Sequence, residues 1–255
     1  MLIRSWNLFH GHASPPRNTT YLEEMVRLAS GDRPGILLLQ EIPAWALGRL
    51  AGWSGMRAIG DIAQHPMLGP LPITAGAGHA LTRLRPRLLR SAFAGQGNAI
   101  LLADGLEVVS QEVIVLNPPR FRAERSQELG LDLVLRLAWA KERRIAQVVR
   151  LETEMLVANL HATSLLDPRI AAAEVGRAEA AVLERAVPGD VVVIGGDLNV
   201  VGPAAGLDGF SPPGPFIDHI LVRGAAASPL RVWPDERRTR DGMLLSDHAP
   251  IEVDI

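Results

Sequence analysis

The chain has 255 residues, of which 47% are hydrophobic, and its formal net charge is −2. This charge excludes a strongly basic surface spread over the whole molecule, and the absence of cysteine excludes disulfides and thiolate metal sites. The first residues lack the basic and long apolar regions of a signal peptide, and no apolar run reaches the length of a membrane span. We therefore expect a soluble cytoplasmic protein.

Short apolar runs alternate with helical patterns along the chain. The spacing of apolar residues predicts a helix from 22 to 29, after the potential caps Asn18-Thr19-Thr20, and another from Pro168 to about 187. Residues 117–141 read as an insertion that is helical in part, and 61–97 match no pattern. The predicted strands are 2–7, 35–40, 98–103, 106–116, 144–151, 154–160, 191–195, 217–222 and 250–255.

Six polar motifs lie at the ends of these predicted strands. In chain order they are Ser5-Trp6-Asn7, Leu39-Gln40-Glu41, Asn159-Leu160-His161, Gly195-Gly196-Asp197-Leu198-Asn199, Ile217-Asp218-His219-Ile220 and Ser246-Asp247-His248. Four of them end an apolar run, whereas Asp218 and Asp247 each precede one. Where neighbouring strands run antiparallel, the end of one meets the start of the other at the same edge. The motifs are therefore predicted to converge at one rim.

The residue types in these motifs suit the cleavage of a phosphoester. Carboxylate and amide oxygens without cysteine favour Mg²⁺ or Mn²⁺ over Zn²⁺. A histidine beside a carboxylate, as His248 would be with Asp218, is an oriented base that can activate water. A second histidine, His161, is suited to donate a hydrogen bond to a phosphate oxygen as charge develops.

With these motifs the chain resembles the endonuclease/exonuclease/phosphatase superfamily, which includes deoxyribonucleases, AP endonucleases, inositol polyphosphate 5-phosphatases and neutral sphingomyelinases. The resemblance runs from Trp6 to Pro250, and its most specific parts are 197–199 and 246–248. It implies an α/β fold built as a four-layer sandwich, with two mixed β-sheets packed face to face and flanked by helices. We expect a single domain over residues 1–255.

The resemblance also assigns roles to the residues of the motifs. It implies that Mg²⁺, with Mn²⁺ as the alternative, is bound by Glu41, Asn7 and Asp247. It implies that Asp197 and Asn199 position the attacking water and the scissile phosphate, and that Asp218 and His248 form the acid–histidine pair. His161 would contact the phosphate. The expected catalytic residues are His161, Asp197, Asn199, Asp218 and His248, and the expected phosphate-binding residues are Asn7, Asn199 and His161.

Two departures from the family narrow the choice of branch. AP endonucleases carry a tyrosine in the motif that here reads Asn159-Leu160-His161, and the single tyrosine of this chain is Tyr21. Deoxyribonucleases place a glutamate between the first metal ligand and the histidine, where Asn98 is the nearest polar residue of this chain. The missing tyrosine argues against the AP-endonuclease branch and favours the deoxyribonuclease- and sphingomyelinase-like branch. The missing glutamate argues against a carboxylate-supported general acid at His161.

Several residues also have a purely structural interpretation. Alone, each motif is explained as well by turns, caps or a buried histidine. We interpret His219 as structural, and His10, His12, His65 and His79 as structural or solvent-exposed. Two arginine clusters would suit either a nucleic-acid backbone or solvent. These clusters are Arg83, Arg85, Arg87 and Arg90, and Arg231, Arg237, Arg238 and Arg240. Four tryptophans are expected in the core or an interface: Trp45, Trp53, Trp139 and Trp233.

The sequence therefore predicts a Mg²⁺-dependent phosphoester hydrolase. The leading hypothesis is an endonuclease or phosphodiesterase that acts on nucleic acid. The alternative is an enzyme that hydrolyses a small-molecule or lipid phosphoester, of the inositol phosphate or sphingomyelin type. A catalytically inactive binding module is less favoured because no motif is missing. A basic groove beside the rim would favour a nucleic-acid substrate. A closed pocket would favour a small-molecule substrate, and an exposed apolar loop would favour a lipid substrate.

Overall fold

The computed structural model describes residues 1–16, 19–69, 71–84 and 93–255. The chain folds into two units. The first unit contains Met1–Leu106 and Pro229–Ile255, and the second contains Glu107–Ser228. Each unit has its own mixed or largely antiparallel sheet with helices packed on it, so the predicted α/β fold class is confirmed.

The sheet of the first unit has six strands in the order β13-β16-β1-β3-β7-β4. β1 and β3 are parallel, while β16 runs antiparallel to β1 and β7 antiparallel to β3. The C-terminal segment thus completes the sheet that the N-terminal segment begins. The strands are β1 (Leu2–Asn7), β3 (Ile36–Ile42), β4 (Arg57–Gln64), β7 (Gln96–Leu102), β13 (Arg231–Val232) and β16 (Ile251–Asp254). Short strands of the same unit are β2 (Ala13–Ser14), β5 (Met67–Leu68), β6 (Leu71–Pro72), β14 (Thr239–Arg240) and β15 (Met243–Leu245).

One face of this sheet carries the helices of the first unit. The helices are α1 (Leu22–Ser30), α2 (Leu50–Ser54) and α3 (Ala75–Leu84), with 3₁₀ turns at Phe9–Gly11, Ala44–Arg49 and Asp235–Arg238. Leu22, Met25 and Val26 of α1 recur at helical spacing and pack against Leu37 and Leu39 of β3. Burial of this apolar stripe holds α1 in place. Tyr21, which precedes the helix, makes no side-chain capping hydrogen bond, and the predicted cap Thr20 accepts from the N–H of Leu22 through Oγ1 at 3.4 Å.

The sheet of the second unit has five strands in the order β12-β11-β10-β9-β8. β10 and β11 are parallel, and the other neighbours are antiparallel. Val157, Val193 and Ile194 are fully buried, as expected of strands that are apolar throughout. The strands are β8 (Val108–Val115), β9 (Ile145–Leu151), β10 (Met155–His161), β11 (Val191–Asp197) and β12 (Asp218–Arg223).

Three helices belong to the second unit: α4 (Pro119–Glu128), α5 (Leu133–Ala140) and α6 (Pro168–Arg185). Asp167 caps α6 and Pro168 occupies its first turn, as the sequence predicts. The Ala171, Val175, Ala178 and Val182 stripe of α6 packs on the sheet. The insertion at 117–141 forms the hairpin α4–α5, in which Trp139 and Leu131 pack on Ile170.

All nine predicted strands are present, and their ends differ from the prediction by two residues at most. β4 was missed because residues 57–64 mix small, charged and apolar side chains, and their pairing with β7 is a tertiary event. The helix α3 was also missed. Asn18, one of the predicted caps, lies outside the described residues.

Candidate active site

The first unit brings two of the motif residues together at one edge of its sheet. Asn7 ends β1 and lies opposite Gln40, one position before Glu41 at the end of β3. The Nδ2 group of Asn7 is 3.3 Å from Oε1 of Glu41. Because β16 runs antiparallel to β1, the Asp247–His248 segment that precedes it starts at this same edge. The predicted meeting of strand ends and strand starts is confirmed for this unit.

Glu41 is directed by an irregularity in its own strand. The register between β3 and β7 shifts between Leu39 and Ile42, and Glu41 has a φ of 53° in the left-handed region. Such a bulge changes the direction of a side chain, and a left-handed non-glycine residue is strained. His10, which also has a positive φ, places Nε2 at 3.5 Å from Oε2 of Glu41. His10 belongs to none of the sequence motifs, so its predicted role, structural or solvent-exposed, does not include this contact.

The Ser246–His248 loop is fixed by hydrogen bonds within the first unit. Ser246 has a φ of 60°, its Oγ donates to the carbonyl of Asn7 at 2.7 Å, and it accepts from the backbone N–H of His248 at 3.1 Å. The indole of Trp6 donates to the carbonyl of His248 at 2.9 Å. The Asp247 side chain is 43% exposed, and its Oδ1 lies 3.9 Å from Nε2 of His248. The first rim, as we call it, consists of Asn7, Glu41, Asp247 and His248.

The buried side chain of Arg238 also fixes the Ser246–His248 loop, through hydrogen bonds to backbone carbonyls. Its Nη1 donates to the carbonyls of Leu245, Ser246 and His248 at 2.9, 3.0 and 3.1 Å, and Nη2 donates to Asp235 at 2.8 Å. No motif indicated this role, since an arginine seven residues before a loop has no sequence signature of carbonyl binding.

The second unit brings a matching set to one edge of its own sheet. His161 ends β10 and is paired in register with Asp197 at the end of β11, which in turn lies opposite Asp218 at the start of β12. Nε2 of His161 is 3.4 Å from Oδ2 of Asp197. All three residues are buried. The edge prediction is therefore also confirmed here, and we call His161, Asp197, Asn199 and Asp218 the second rim.

Asn199 closes the turn that follows β11. Its backbone N–H donates to Oδ1 of Asp197 at 3.2 Å, and its Nδ2 donates to the carbonyl of Ala162 at 3.0 Å. Its φ is 50°, a conformation that asparagine tolerates better than most residues. The backbone of Asn199 thus forms a turn, and its side chain connects the ends of β10 and β11.

A buried arginine beside His161 was not anticipated. Nη1 of Arg144 lies 3.1 Å from Nδ1 of His161, and Nη2 pairs with Glu142 at 2.7 Å. Because guanidinium groups only donate, a ring nitrogen bonded to Arg144 must carry a lone pair. Arg144 directly precedes β9, which runs antiparallel to β10. The rule that selected Asp218 and Asp247 therefore also applies to Arg144 and would have found it.

Two further buried groups complete the second unit near this rim. Glu174 accepts hydrogen bonds from the N–H and Oγ1 of Thr163 at 2.7 and 2.8 Å and from Nε1 of Trp139 at 2.6 Å. Burial raises the pKa of the Glu174 carboxyl. His219 is fully buried with Nε2 at 2.8 Å from the carbonyl of Val200, and burial lowers its pKa. This environment agrees with the structural interpretation of His219.

The predicted arginine clusters have different outcomes. Arg85, Arg87 and Arg90 lie outside the described residues, as does the side chain of Arg83. The cluster at 231–240 is engaged by carboxylates within the first unit. Arg231 pairs with Glu252 and Asp254 at 3.3 and 2.8 Å, Arg237 with Asp32 at 2.9 Å, Arg238 with Asp235 at 2.8 Å and Arg240 with Glu24 at 2.9 Å.

The carboxylates of the first rim are of the type that a hard divalent cation prefers. Glu41 and Asp247 supply the oxygen ligands that suit Mg²⁺ and Mn²⁺. Asn7 directs Nδ2 to Glu41, and its Oδ1 accepts from the N–H of Phe9 at 3.0 Å. The Glu41 side chain keeps 19% exposure, so an ion can reach it from solvent. The predicted pairing of Asp218 with His248 joins residues of different units and stays a prediction.

The model of the Endonuclease/Exonuclease/phosphatase family matches residues 5–248. The chain belongs to this family. The match contains both rims, and it makes the protein an enzyme that hydrolyses phosphoester bonds with the help of a divalent metal. No protein of curated function matches the sequence.

Solved structures of the family share its fold with this chain. Truncated TDP2 of Caenorhabditis elegans aligns with a TM-score of 0.65 at 16% identity, over 99% of this chain and 95% of that one. An endonuclease/exonuclease/phosphatase from Beutenbergia cavernae aligns at 0.64 and 13% identity, over 99% and 70%. A mannosyl-6-phosphatase of Bacteroides thetaiotaomicron aligns at 0.62 and 15% identity, over 100% and 98%. These identities establish the fold alone.

No helix within the described residues combines the length and the apolar character that crossing a bilayer requires.

Proposed function

We propose that the protein is a Mg²⁺-dependent phosphoester hydrolase in which the first and second rims act on one phosphate group, with the two units working as a single domain. The observation that carries this proposal is the order within each sheet. Glu41 lies beside Asn7 at an edge of the first unit's sheet, and His161 lies beside Asp197 at an edge of the second unit's sheet. The two residues of each pair are far apart in the sequence. Family membership across residues 5–248 supports a joint role.

In this proposal the first rim holds the metal. Glu41 is the principal ligand, with Asn7 and Asp247 beside it, and Mn²⁺ is the alternative ion. A bound divalent ion neutralises charge on the phosphate and stabilises the leaving oxygen. The bulge at Glu41 keeps its carboxylate directed to the edge of the sheet, so that little reorganisation is needed when the substrate binds.

The remaining residues handle the water and the phosphate. Asp197 and Asn199 position the attacking water and the scissile group, and His248 paired with Asp218 removes the proton from that water. His161 donates a hydrogen bond to a phosphate oxygen. Arg144 supports this donor role, because a guanidinium at 3.1 Å can donate to Nδ1 and leave Nε2 as the nitrogen that donates. Asn7 and Asn199 add amide contacts to the phosphate.

The substrate class is the finer part of the proposal. Nucleic acid is the first candidate from the sequence, but a backbone-tracking role of the cluster at 231–240 is weakened because its arginines are paired with carboxylates. A lipid phosphoester gains support from three exposed apolar residues of α5: Leu133, Val134 and Leu137. The cytoplasmic location predicted from the sequence remains a prediction.

The metal assignment is tested with purified protein and a panel of substrates. The panel contains plasmid DNA, single-stranded DNA, RNA, sphingomyelin, inositol phosphates and a sugar phosphate. We expect hydrolysis of one class to stop in EDTA and to return with Mg²⁺ or Mn²⁺. Glu41→Gln should lower metal affinity by about 10- to 100-fold or more, because the neutral amide loses the ligand charge while the shape is kept.

The matched control is Glu23→Gln, which changes an exposed carboxylate on α1 that pairs with Arg27. It should keep the activity and the Mg²⁺ dependence of the original protein. Full activity of Glu41→Gln at low Mg²⁺ would refute the metal assignment. Activity that persists in EDTA on every cleaved substrate would refute the metal dependence itself.

A further inference from the structure

The helix α5 exposes an apolar face that the fold does not cover. Leu133, Val134 and Leu137 are 70%, 74% and 64% exposed. The opposite side of the helix is anchored, since Trp139 is buried and packs with Leu131, Ile170 and partly buried Leu135. The single charged residue within the helix is Arg136. A helix that is apolar on all sides normally lies in a protein core or against lipid.

The size of this face argues against a stable protein partner. A helix of eight residues is about 12 Å long, and a stable protein interface removes about 800 Å² from each partner. Three aliphatic side chains on such a helix cover far less than this area. A lipid surface requires neither a large footprint nor a complementary shape, because each side chain enters the acyl boundary independently.

The charges around α5 are complementary to anionic headgroups. Arg136, Lys141 and Arg143 are exposed on the helix and directly after it. The two neighbouring acids are engaged: Asp132 caps the helix through the N–H of Leu135, and Glu142 pairs with Arg144. An apolar helix face with a cationic border is typical of segments that lie in the membrane interface.

The same helix is connected to the second rim. Trp139 of α5 donates to Glu174, and Glu174 binds both the N–H and the hydroxyl of Thr163, two residues after His161. Leu165 of this connection packs in the same cluster as Trp139, and the next residue, Leu166, is 99% exposed. A surface bound by α5 is thus held in a defined relation to His161 within the second unit.

We infer that the outer face of α5, formed by Leu133, Val134 and Leu137 and bordered by Arg136, Lys141 and Arg143, docks on a lipid surface that carries anionic headgroups. The docking goes beyond the proposed function and does not require catalysis. Its consequence, that a membrane-borne phosphoester is the substrate class delivered to the second rim, rests on the proposed function.

The docking is tested by co-sedimentation with large unilamellar vesicles in EDTA, so that no metal contributes. The vesicles consist of phosphatidylcholine alone or phosphatidylcholine mixed with phosphatidylglycerol. We expect the full-length protein to bind the mixed vesicles, and more weakly the neutral ones. The variant Leu133→Ser/Val134→Ser/Leu137→Ser should bind about 10-fold or more weakly, because three apolar side chains no longer enter the interface. Charge reversal at Arg136 and Lys141 should abolish the preference for phosphatidylglycerol.

The matched control changes three other exposed valines of the second unit, Val109→Ser/Val113→Ser/Val187→Ser, and should bind vesicles like the original protein. Absence of vesicle binding, or equal binding of the α5 variant, would overturn the inference. A concentration-dependent dimer in sedimentation velocity that the α5 variant abolishes would also overturn it in favour of a second copy of the chain.

A second measurement separates this inference from the proposed function. Hydrolysis of a soluble phosphodiester, bis-p-nitrophenyl phosphate, with Mg²⁺ should be the same in the α5 variant and the original protein. Hydrolysis of a phospholipid headgroup in mixed vesicles should fall by about 10-fold or more in the α5 variant alone. Vesicle binding without hydrolysis of any substrate would contradict the proposed function and leave the docking supported.

Discussion

At the scale of single residues, Gly196 decides where Asp197 lies. Gly196 has a φ of 133°, a region that side chains rarely adopt, and a Cβ built on it would lie 1.9 Å from the carbonyl oxygen of Leu160. Parallel β10 can pair closely with β11 only because this side chain is absent. The close pairing brings Asp197 to within 3.4 Å of His161.

Gly196→Ala should therefore destabilise the protein by about 3 kcal/mol or more, since both the backbone conformation and the contact with Leu160 must change. It should also abolish hydrolysis, because the second rim depends on this pairing. Urea unfolding, monitored by circular dichroism, measures the loss of stability. Gly176→Ala is the control: this glycine of α6 has no atom within 4 Å of an added Cβ, and alanine should stabilise the helix by about 0.5–1 kcal/mol. Equal stability of the two variants would contradict the argument.

Strained residues recur at the proposed site. Glu41, Asn199 and Ser246 all have left-handed backbone conformations, with φ values of 53°, 50° and 60°. Each such residue costs about 1–3 kcal/mol unless the surroundings enforce it. Here hydrogen bonds from side chains supply that enforcement, as Ser246 and Asn199 show directly.

At the scale of elements, the loop before β16 depends on Arg238. Its guanidinium is buried, and one nitrogen donates to three backbone carbonyls of this loop, those of Leu245, Ser246 and His248. This arrangement makes Arg238 a positioning residue for His248 rather than a group that contacts substrate. Because Arg238 is buried, it fits neither of the two predicted roles, a contact with a nucleic-acid backbone or a solvent-exposed charge.

Arg238→Lys should lower kcat by about 10- to 100-fold with little change in KM, because a lysine offers no planar fork to hold the three carbonyls. The fold should survive, as the charge is kept. Arg237→Ala is the neighbouring control, because this arginine pairs with Asp32 and stacks on Trp233. It should leave kcat unchanged. Steady-state kinetics on the cleaved substrate decides, and a larger effect from Arg237→Ala would contradict the role of Arg238.

At the scale of the whole molecule, each unit contains an arginine–carboxylate pair of which one member is buried. In the first unit Arg4, which is fully buried, binds Asp32 and Glu252. In the second unit Arg150 binds Asp190 at 2.9 Å. The hydrogen bond from Arg4 lowers the pKa of Asp32, and the hydrogen bond from Arg150 lowers the pKa of Asp190.

Because these pKa values are lower in the folded state than in the unfolded state, the stabilisation is present above the unfolded pKa of about 4 and is lost as the pH falls through the folded values. We expect the free energy of unfolding to decline steeply below about pH 4. Asp190→Asn should lower stability at pH 7 by about 1–3 kcal/mol and flatten the acid decline. Asp104→Asn, at an exposed position, is the control and should leave the curve unchanged. The midpoints of urea unfolding, measured from pH 7 into the acid range, give the stability of both variants. If stability declines as steeply in Asp190→Asn as in the original protein, Asp190 is not a source of the acid sensitivity.

The sequence alone determined which residues stand at strand ends. Alternation and solid apolar runs are local properties, so nine strands, α1 and α6 were predicted. The position of the motifs at the ends of these strands predicted that Glu41 lies near Asn7 and His161 near Asp197. Tertiary structure decided the rest. Arg238 and the exposed face of α5 have no local signature, because a side chain's partners and its burial are set by segments distant in the chain. The arginines at 231–240 illustrate the same limit: charge is visible in the sequence, but only folding brings the carboxylates that engage it.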